Sequence, residues 1–285
     1  MRVLVIRNAG SGGAGDVTQG RLAEALRPLG DVTFASPESD AELRRAAEAM
    51  ELVVAAGGDG TVSRTVGALA DRLADLTFAV VPLGTGNDFA RTLGMPEDPL
   101  EAARTIADGT DRPIDVWRAS ASDGGRLFVN ACVGGFPVEV DRRIGDREKQ
   151  ILGPVAYLTA GARTVAAMDR FTASLDGRRL PDCLAVGVGN GRSVGGGVRL
   201  FPEADPADGR LEACALSATG TVDVAKLGLA VRKGEHLGLD GVVATSGETI
   251  RIETDPPIEL NVDGDLVGMR TPVEFRHAGR ARFRC

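Results

Sequence analysis

The chain has 285 residues, 43% of them hydrophobic and 26% charged, with a formal net charge of −7. At roughly 100–200 residues per domain this length favours two domains, and no run approaches the ~18 consecutive apolar residues of a membrane span. The acidic balance argues against a nucleic-acid partner, whose phosphates select basic faces, and against simple adsorption to anionic lipid, so any membrane contact must be local.

Residues 3–6 read as a buried strand. The same apolar run is too short for the core of a signal peptide, which predicts a cytoplasmic protein. A glycine-rich loop follows, and then a helix near 21–29 with Leu22, Leu26 and Leu29 on one face. Residues 31–35 form a second strand. Ser39 and Glu42 make an S-x-x-E capping box for a helix running to about Met50. Residues 52–56 are a third strand, 61–73 a helix through Val62, Val66, Leu69 and Leu73, and 78–81 a fourth strand. For the helix at 98–108, Asp98 is the N-cap, Pro99 the first helical residue and Glu101 the third, with Gly109 just past the end. This alternation is the signature of a parallel sheet wrapped by helices. Beyond about Asp115 the texture changes. Residues 126–131, 183–188, 211–216, 249–253 and 258–262 read as short strands between Gly, Pro and Asp, the pattern of a β-sandwich or barrel interrupted by one helix at 154–168. The boundary falls near Trp117.

Three glycine-rich loops each follow a strand and precede a helix: residues 8–15, 57–61 and 82–88. In a parallel sheet they line up along one edge, where backbone N–H groups and helix N-termini favour phosphate. Gly10, Gly12 and Gly15 satisfy G-x-G-x-x-G. A dinucleotide fold, however, needs an acidic residue about 20 positions on, and the second strand ends Phe34-Ala35-Ser36, which demotes a dehydrogenase. In GGDGT and PLGTGND, Asp59 and Asp88 stand among glycines that otherwise suit an anion. A carboxylate beside a triphosphate repels it unless a cation lies between, so the pattern predicts a Mg2+–nucleotide site. The competing reading makes both residues simple turn and N-cap aspartates. Neither a G-x-x-x-x-G-K-[ST] loop nor an H-R-D loop is present. The four cysteines form no C-x-x-C pair, and only His236 and His277 accompany them, which disfavours structural zinc and a disulfide framework. Asp263-Gly264 between apolar segments reads as a hairpin turn.

GGDGT at 57–61 and PLGTGNDFAR at 82–91 together resemble the signature of the diacylglycerol kinase catalytic domain, shared with sphingosine and ceramide kinases. Later segments are similar to successive landmarks of the bacterial soluble lipid kinases: Phe128-Val129-Asn130, Leu152-Gly153 with Tyr157, Gly195-Gly196-Gly197, Pro202-Glu203-Ala204 with Asp208-Gly209, Lys233-Gly234-Glu235-His236, and Val262-Asp263-Gly264-Asp265. The resemblance implies an α/β ATP-binding domain similar to phosphofructokinases and NAD kinases over residues 1–117, a β-sandwich lipid-binding domain over 118–270, and a return of residues 271–285 to the first domain. It implies an ATP- and Mg2+-dependent kinase that phosphorylates a diacylglycerol-like hydroxyl. The nucleotide would be contacted by Asn8, Ser11 and Gly12, by Gly57, Gly58, Asp59, Gly60 and Thr61, and by Gly84, Thr85 and Asn87. The metal would be held by Asp208 with the main-chain carbonyls of Asp205 and Arg210, linked through water to Asp59 and Asp88. Asp263 would be the general base, supported by Asp265, and His236 would be structural. A lipid acceptor implies peripheral contact at the inner membrane face, with Arg142, Arg143, Arg147 and Lys149 as basic candidates at the mouth of an apolar channel. A homodimer is compatible with the sequence.

Five positions depart from the family's pattern. Ala9 and Gly13 replace the proline and the basic residue of the first loop, leaving Arg7 and Arg91 as candidates for the missing cation. Ser63 and Arg64 stand where Asn and Glu are usual, and D-G-D replaces D-G-E. A kinase for NAD or a sphingoid base, and a nucleotide- or lipid-binding regulator without catalysis, are the alternatives.

Overall fold

The computed structural model describes residues 1–7, 17–122, 124–135 and 169–285. Four parallel strands open the chain: β1 (Arg2–Arg7), β2 (Asp31–Ala35), β3 (Leu52–Gly57) and β4 (Thr77–Pro82). They lie in the order β2-β1-β3-β4, with Val5 opposite both Phe34 and Val54, and Val54 opposite Ala79. Every residue of β3 and β4 is buried, as expected of central strands covered on both faces. The helices are α1 (Gln19–Leu26), α2 (Asp40–Ala47), α3 (Asp59–Ala68), the single-turn α4 (Asp88–Thr92) and α5 (Pro99–Asp108).

Helix signals in the sequence hold best at α5, where the Asp98 carboxylate accepts the N–H groups of Leu100 and Glu101 at 2.9 and 2.8 Å. At α2, Ser39 Oγ accepts the Glu42 N–H, but the Glu42 carboxylate reaches the N–H of Glu38, so the expected capping box closes one residue early. Three helices are shorter than expected. α1 gives way to a 3-10 turn at Arg27–Leu29 containing Pro28, whose ring cannot continue the α-helix. α2 stops at Ala47, short of Met50, and α3 stops at Ala68 before a 3-10 turn at Ala70–Arg72.

The second half is built from β5 (Asp111–Ala121), β6 (Gly124–Phe128), β7 (Ala131–Gly135), β8 (Phe171–Leu175), β9 (Arg178–Gly189), β10 (Leu211–Ser217), β11 (Val242–Gly247), β12 (Thr249–Asp255), β13 (Glu259–Val262), β14 (Asp265–Arg270) and β15 (Val273–Arg284). Its strands run β14-β13-β7-β9-β8-β12-β15, with β10 adding to β9 and β11 to β10. Two sequence expectations are corrected here. The strand expected at 126–131 is two strands, β6 and β7, because the N–H groups of Val129, Asn130 and Ala131 turn to the carboxylate of Asp263. A helix that the sequence reading did not foresee, α6 (Thr221–Lys233), lies between β10 and β11 and packs Leu227 and Val231 against Leu184, Phe201, Cys214 and Leu216. The helix expected at 154–168 lies outside the described residues.

β5 and β15 pair antiparallel from Asp111 opposite Arg284 to Ser120 opposite Glu274, and the end of β15 then runs parallel to β4, with Phe283 opposite Phe78. This ribbon enters both cores. Ile114, Val116, Ala281 and Phe283 belong to the apolar core of the parallel sheet, while Trp117, Ala119, Val273 and Phe275 belong to that of the second half. Trp117, where the sequence texture changes, thus lies in mid-strand. No helix among the described residues is long and apolar enough to cross a membrane.

Candidate active site

At the carboxyl ends of β3 and β4 two glycine loops touch backbone to backbone. A Cβ added to Gly84 would lie 2.5 Å from the Cα of Gly58, an approach that requires glycine at 84, and one added to Gly58 would lie a tight 3.3 Å from the Cα of Gly84. Gly57 is restricted in the same way, since its Cβ would lie 2.2 Å from Thr61 Oγ1. The β4 loop is closed by Asn87, at φ 52°, whose side chain accepts the N–H of Gly84 at 3.0 Å and donates to the Gly84 carbonyl at 2.7 Å. Thr85 is left exposed at its tip. Gly58 is the N-cap of α3 and carries no capping side chain, so the first turn of that helix, with Gly60 and Thr61, faces the cleft with its positive end. Asn8, Ser11 and Gly12 lie outside the described residues.

Asp59 and Asp88 have specific tasks. Asp59 reaches across to the single-turn helix α4 and accepts the N–H of Phe89 at 2.8 Å and of Asp88 at 3.1 Å, capping it from outside. Asp88, buried, accepts the N–H groups of Gly196 and Gly197 at 2.8 and 2.7 Å and the Arg91 guanidinium at 3.0 Å, strapping the 195–197 turn of the second half to the first. Both carboxylates border Gly86, where an added Cβ would lie 3.1 and 3.5 Å from their oxygens. Burial raises the Asp59 carboxyl above its ordinary value; the Phe89 N–H opposes this, and the charge of Asp88 adds to it.

Asp263 and Asp265 come from the turn between β13 and β14, and this turn lies against α3. A Cβ on Gly60 would meet Asp265 Oδ1 at 3.0 Å, and one on Gly264 would meet the Cβ of Asp59 at 3.9 Å. Asp263 sits at φ 48°, as a hairpin aspartate can, but it is buried and its carboxylate accepts three backbone N–H groups, from Val129, Asn130 and Ala131, each at 2.9 Å. It is therefore more than a turn residue. Burial pushes its carboxyl up to about 6, against those three bonds, and the charge of Asp59 adds to the rise. Asp265 is half-buried and paired with Arg126 at 2.9 Å.

Between α3, the end of β1 and the β5–β6 hairpin opens a cleft of about 720 Å3 lined by Arg7, Arg64, Arg118 and Arg126 beside Gly58, Gly60, Thr61 and Asp265. Arg64 pairs with Asp40 and Arg126 with Asp265, whereas Arg7 and Arg118 have no ion pair among the described residues. Of the two candidates for the cation absent from the first loop, Arg7 lines this cleft, while Arg91 is committed to Asp88, the Gly86 carbonyl and Glu97. The sequence reading missed Arg64, Arg118 and Arg126 as wall residues, because only the β5–β6 pairing brings 118 and 126 to α3.

Asp208 and Asp205 are exposed on a turn of the second half. Asp208 Oδ1 accepts the Arg210 N–H, Asp205 Oδ1 accepts the Ala207 N–H, and the Arg210 guanidinium reaches Ser246. The turn is held by buried Asp115, which takes the Gly209 N–H at 2.6 Å, Arg280 at 2.7 Å and His277 at 3.0 Å. Among the described residues no hydrogen bond joins this turn to Asp59 or Asp88, and no three His, Cys, Asp or Glu side chains gather as ligands of one ion. A carboxylate beside main-chain carbonyls is a hard oxygen set of the kind that suits a Mg2+ keeping several waters, whereas at Asp59 and Asp88 the Arg91 guanidinium already supplies positive charge. Arg142, Arg143, Arg147 and Lys149 lie outside the described residues. His236 is buried with Nε2 on the Leu200 carbonyl, and burial lowers its pKa, so it stays neutral inside the fold. The thiols of Cys183 and Cys214 are pushed up to about 11 and 12, chiefly by burial, which leaves them inert as nucleophiles.

Residues 2–119 match the diacylglycerol kinase catalytic domain, and residues 131–281 match the YegS C-terminal NAD kinase beta sandwich-like domain. The probable lipid kinase YegS-like protein of Xanthomonas campestris pv. campestris is 37% identical over 247 residues, covering 82% of this chain and 80% of that protein. The diacylglycerol kinase of Bacillus subtilis is 32% identical over 250 residues, covering 86% and 79%. A crystal structure of a diacylglycerol kinase from Bacillus anthracis superposes with a TM-score of 0.75 at 27% identity over 99% of this chain and 96% of that one.

Proposed function

This chain belongs to the lipid kinase family built on the diacylglycerol kinase catalytic domain, and from that premise we propose that it transfers the γ-phosphoryl group of ATP to the hydroxyl of a diacylglycerol-like lipid. The observation that carries this reading is the convergence of two parts. A glycine cradle at the N-terminus of α3 opens on an arginine-lined cleft, and the Asp263–Asp265 turn of the second half presses on the same helix turn. Gly58 and Gly60 give backbone donors and Thr61 its hydroxyl to phosphate oxygens, the Gly84 N–H being held by Asn87, and Arg7 and Arg118 supply counter-charge to the triphosphate. The acceptor oxygen bonds to the γ-phosphorus as its bond to the β,γ-bridging oxygen breaks and ADP departs, while the acceptor proton passes to Asp263. A carboxyl raised to about 6 is suited to take a proton near neutral pH. Asp265, tied to Arg126, positions the turn. A Mg2+ would be held by Asp208 and the carbonyls of Asp205 and Arg210, with Asp59 and Asp88 reached through water, and would neutralise charge on the phosphates.

Incubation with γ-labelled ATP and Mg2+, separately with diacylglycerol, a sphingoid base and NAD, tests the reading. Label should appear in a phosphatidate. Label only in sphingoid phosphate or NADP would move the acceptor, and no labelled product would leave a binding protein.

A further inference from the structure

Five large hydrophobic residues are exposed among the described residues, and three of them, Val222, Leu229 and Leu239, fall in or just beyond α6. The helix is two-faced. Leu227 and Val231, with Val224 partly buried, pack inward. Val222, Lys226, Leu229 and Lys233, at i, i+4, i+7 and i+11, form one outward stripe, with exposed Ala225 and Arg232 beside it. Lys226 and Arg232 have no ion pair among the described residues, and Lys233 has only an exposed contact with Glu235 at 4.0 Å. The nearby acids are Asp223 in the first turn of the helix, Glu235 just past its end, and exposed Asp240 beside Leu239. A leucine and a valine more than half exposed, ringed by three cations on a chain of net charge −7, form a local reversal of the molecule's charge joined to apolar surface.

We infer that the outward face of α6 is a membrane-docking surface that seats on an anionic bilayer, with Val222 and Leu229 entering the headgroup boundary and Lys226, Arg232 and Lys233 meeting lipid phosphates. The assignment rests on the lipid-kinase reading only for its purpose, since an acyl-chain acceptor must be met at a membrane. Its geometry is independent of that reading. Charge complementarity selects the occupant: a neutral partner would leave three cations unused, and a second copy docked symmetrically through the same face would set those cations against their own kind, whereas an anionic bilayer meets the cations and the apolar side chains together.

The test uses the full chain in sedimentation with phosphatidylglycerol–phosphatidylcholine vesicles and with pure phosphatidylcholine vesicles. The wild type should pellet with the anionic vesicles and be released by salt. Val222→Ser/Leu229→Ser and Lys226→Glu/Lys233→Glu should each partition about tenfold or more weakly. Both variants should melt as the wild type does and phosphorylate a short-chain, water-dispersed diacylglycerol at the same rate. If a double variant unfolds, Leu229→Ser and Lys226→Glu singly carry the comparison. Undiminished partitioning of the variants, or a wild type that ignores anionic vesicles, overturns the assignment. So does a wild-type dimer that the variants dissociate without change in vesicle binding. If no acceptor lipid is phosphorylated yet the variants lose vesicle binding, the kinase reading falls and the docking face stands.

Discussion

The carboxylate of Asp263 is asked to do two things, to hold the break between β6 and β7 by accepting three N–H groups and to stay buried while ionised. An asparagine there presents an NH2 to at least one of those donors, so Asp263→Asn should cost about 1–3 kcal/mol in urea melts, which a hairpin turn alone would not produce. The size of that loss should depend on pH. The folded carboxyl, at about 6, lies above its unfolded value of 3.8, so its contribution to stability is fully present below about pH 4 and is lost as pH rises through 6, by up to roughly 3 kcal/mol. Because asparagine does not titrate, the gap between wild type and variant should narrow from pH 4 to pH 8. A constant gap would mean that the carboxyl titrates at its ordinary value. Single-turnover rates should fall ~10²–10⁴-fold with ATP binding retained if Asp263 also takes the acceptor proton, whereas wild-type turnover would leave it a structural group.

Among the elements, the shortest is the one most dependent on its neighbours. α4 is a single turn whose N-cap, Asn87, makes no capping bond, so its first N–H groups are satisfied from another helix by Asp59. Asp59→Ala should therefore lower stability by about 1–2 kcal/mol besides removing activity, and Asp88→Ala, which frees the 195–197 turn, by about 2–4 kcal/mol. Chemical denaturation of both variants checks this, and a stable but inactive Asp59→Ala protein would confine that residue to chemistry. These dependences mark the limit of what local sequence can tell. α5 was legible because Asp98, Pro99 and Gly109 are adjacent signals of one helix. The glycine loops were legible because GGDGT and PLGTGND specify backbone approach. The two aspartates inside them were legible as site residues, but not as caps for partners 29 and 108 positions away. α6 went unseen because Val222 and Leu229 interrupt its outward face, which blurs the helical period that a buried and a wet face would give. Arg118 and Arg126 reach the cleft only through strand pairing.

At the scale of the whole molecule, the ribbon of β5 and β15 contributes side chains to both apolar cores, so neither half has a core that closes without it. Differential scanning calorimetry should show one unfolding transition with calorimetric and van't Hoff enthalpies equal, and two resolved peaks would mean that the halves fold separately. The same ribbon carries Asp115 and its partners His277 and Arg280, which fix the turn bearing Asp205 and Asp208. Asp208→Asn preserves the shape of that turn, since an amide oxygen can still accept the Arg210 N–H, and should raise the Mg2+ concentration needed for half-maximal activity several-fold without altering the melt. An unchanged Mg2+ titration would put the ion elsewhere.

The register of β15 against β5 slips between His277 and Gly279, and Gly279 sits at φ 124°. That slip lies beside Trp117, where the side chains pass from one core to the other. The two halves are therefore joined by continuous hydrogen-bonded backbone and not by a linker, so the spacing between the α3 turn and the Asp263–Asp265 turn is written into the register of a strand pair, and an insertion or deletion in that pair would shift every side chain beyond it to the opposite face.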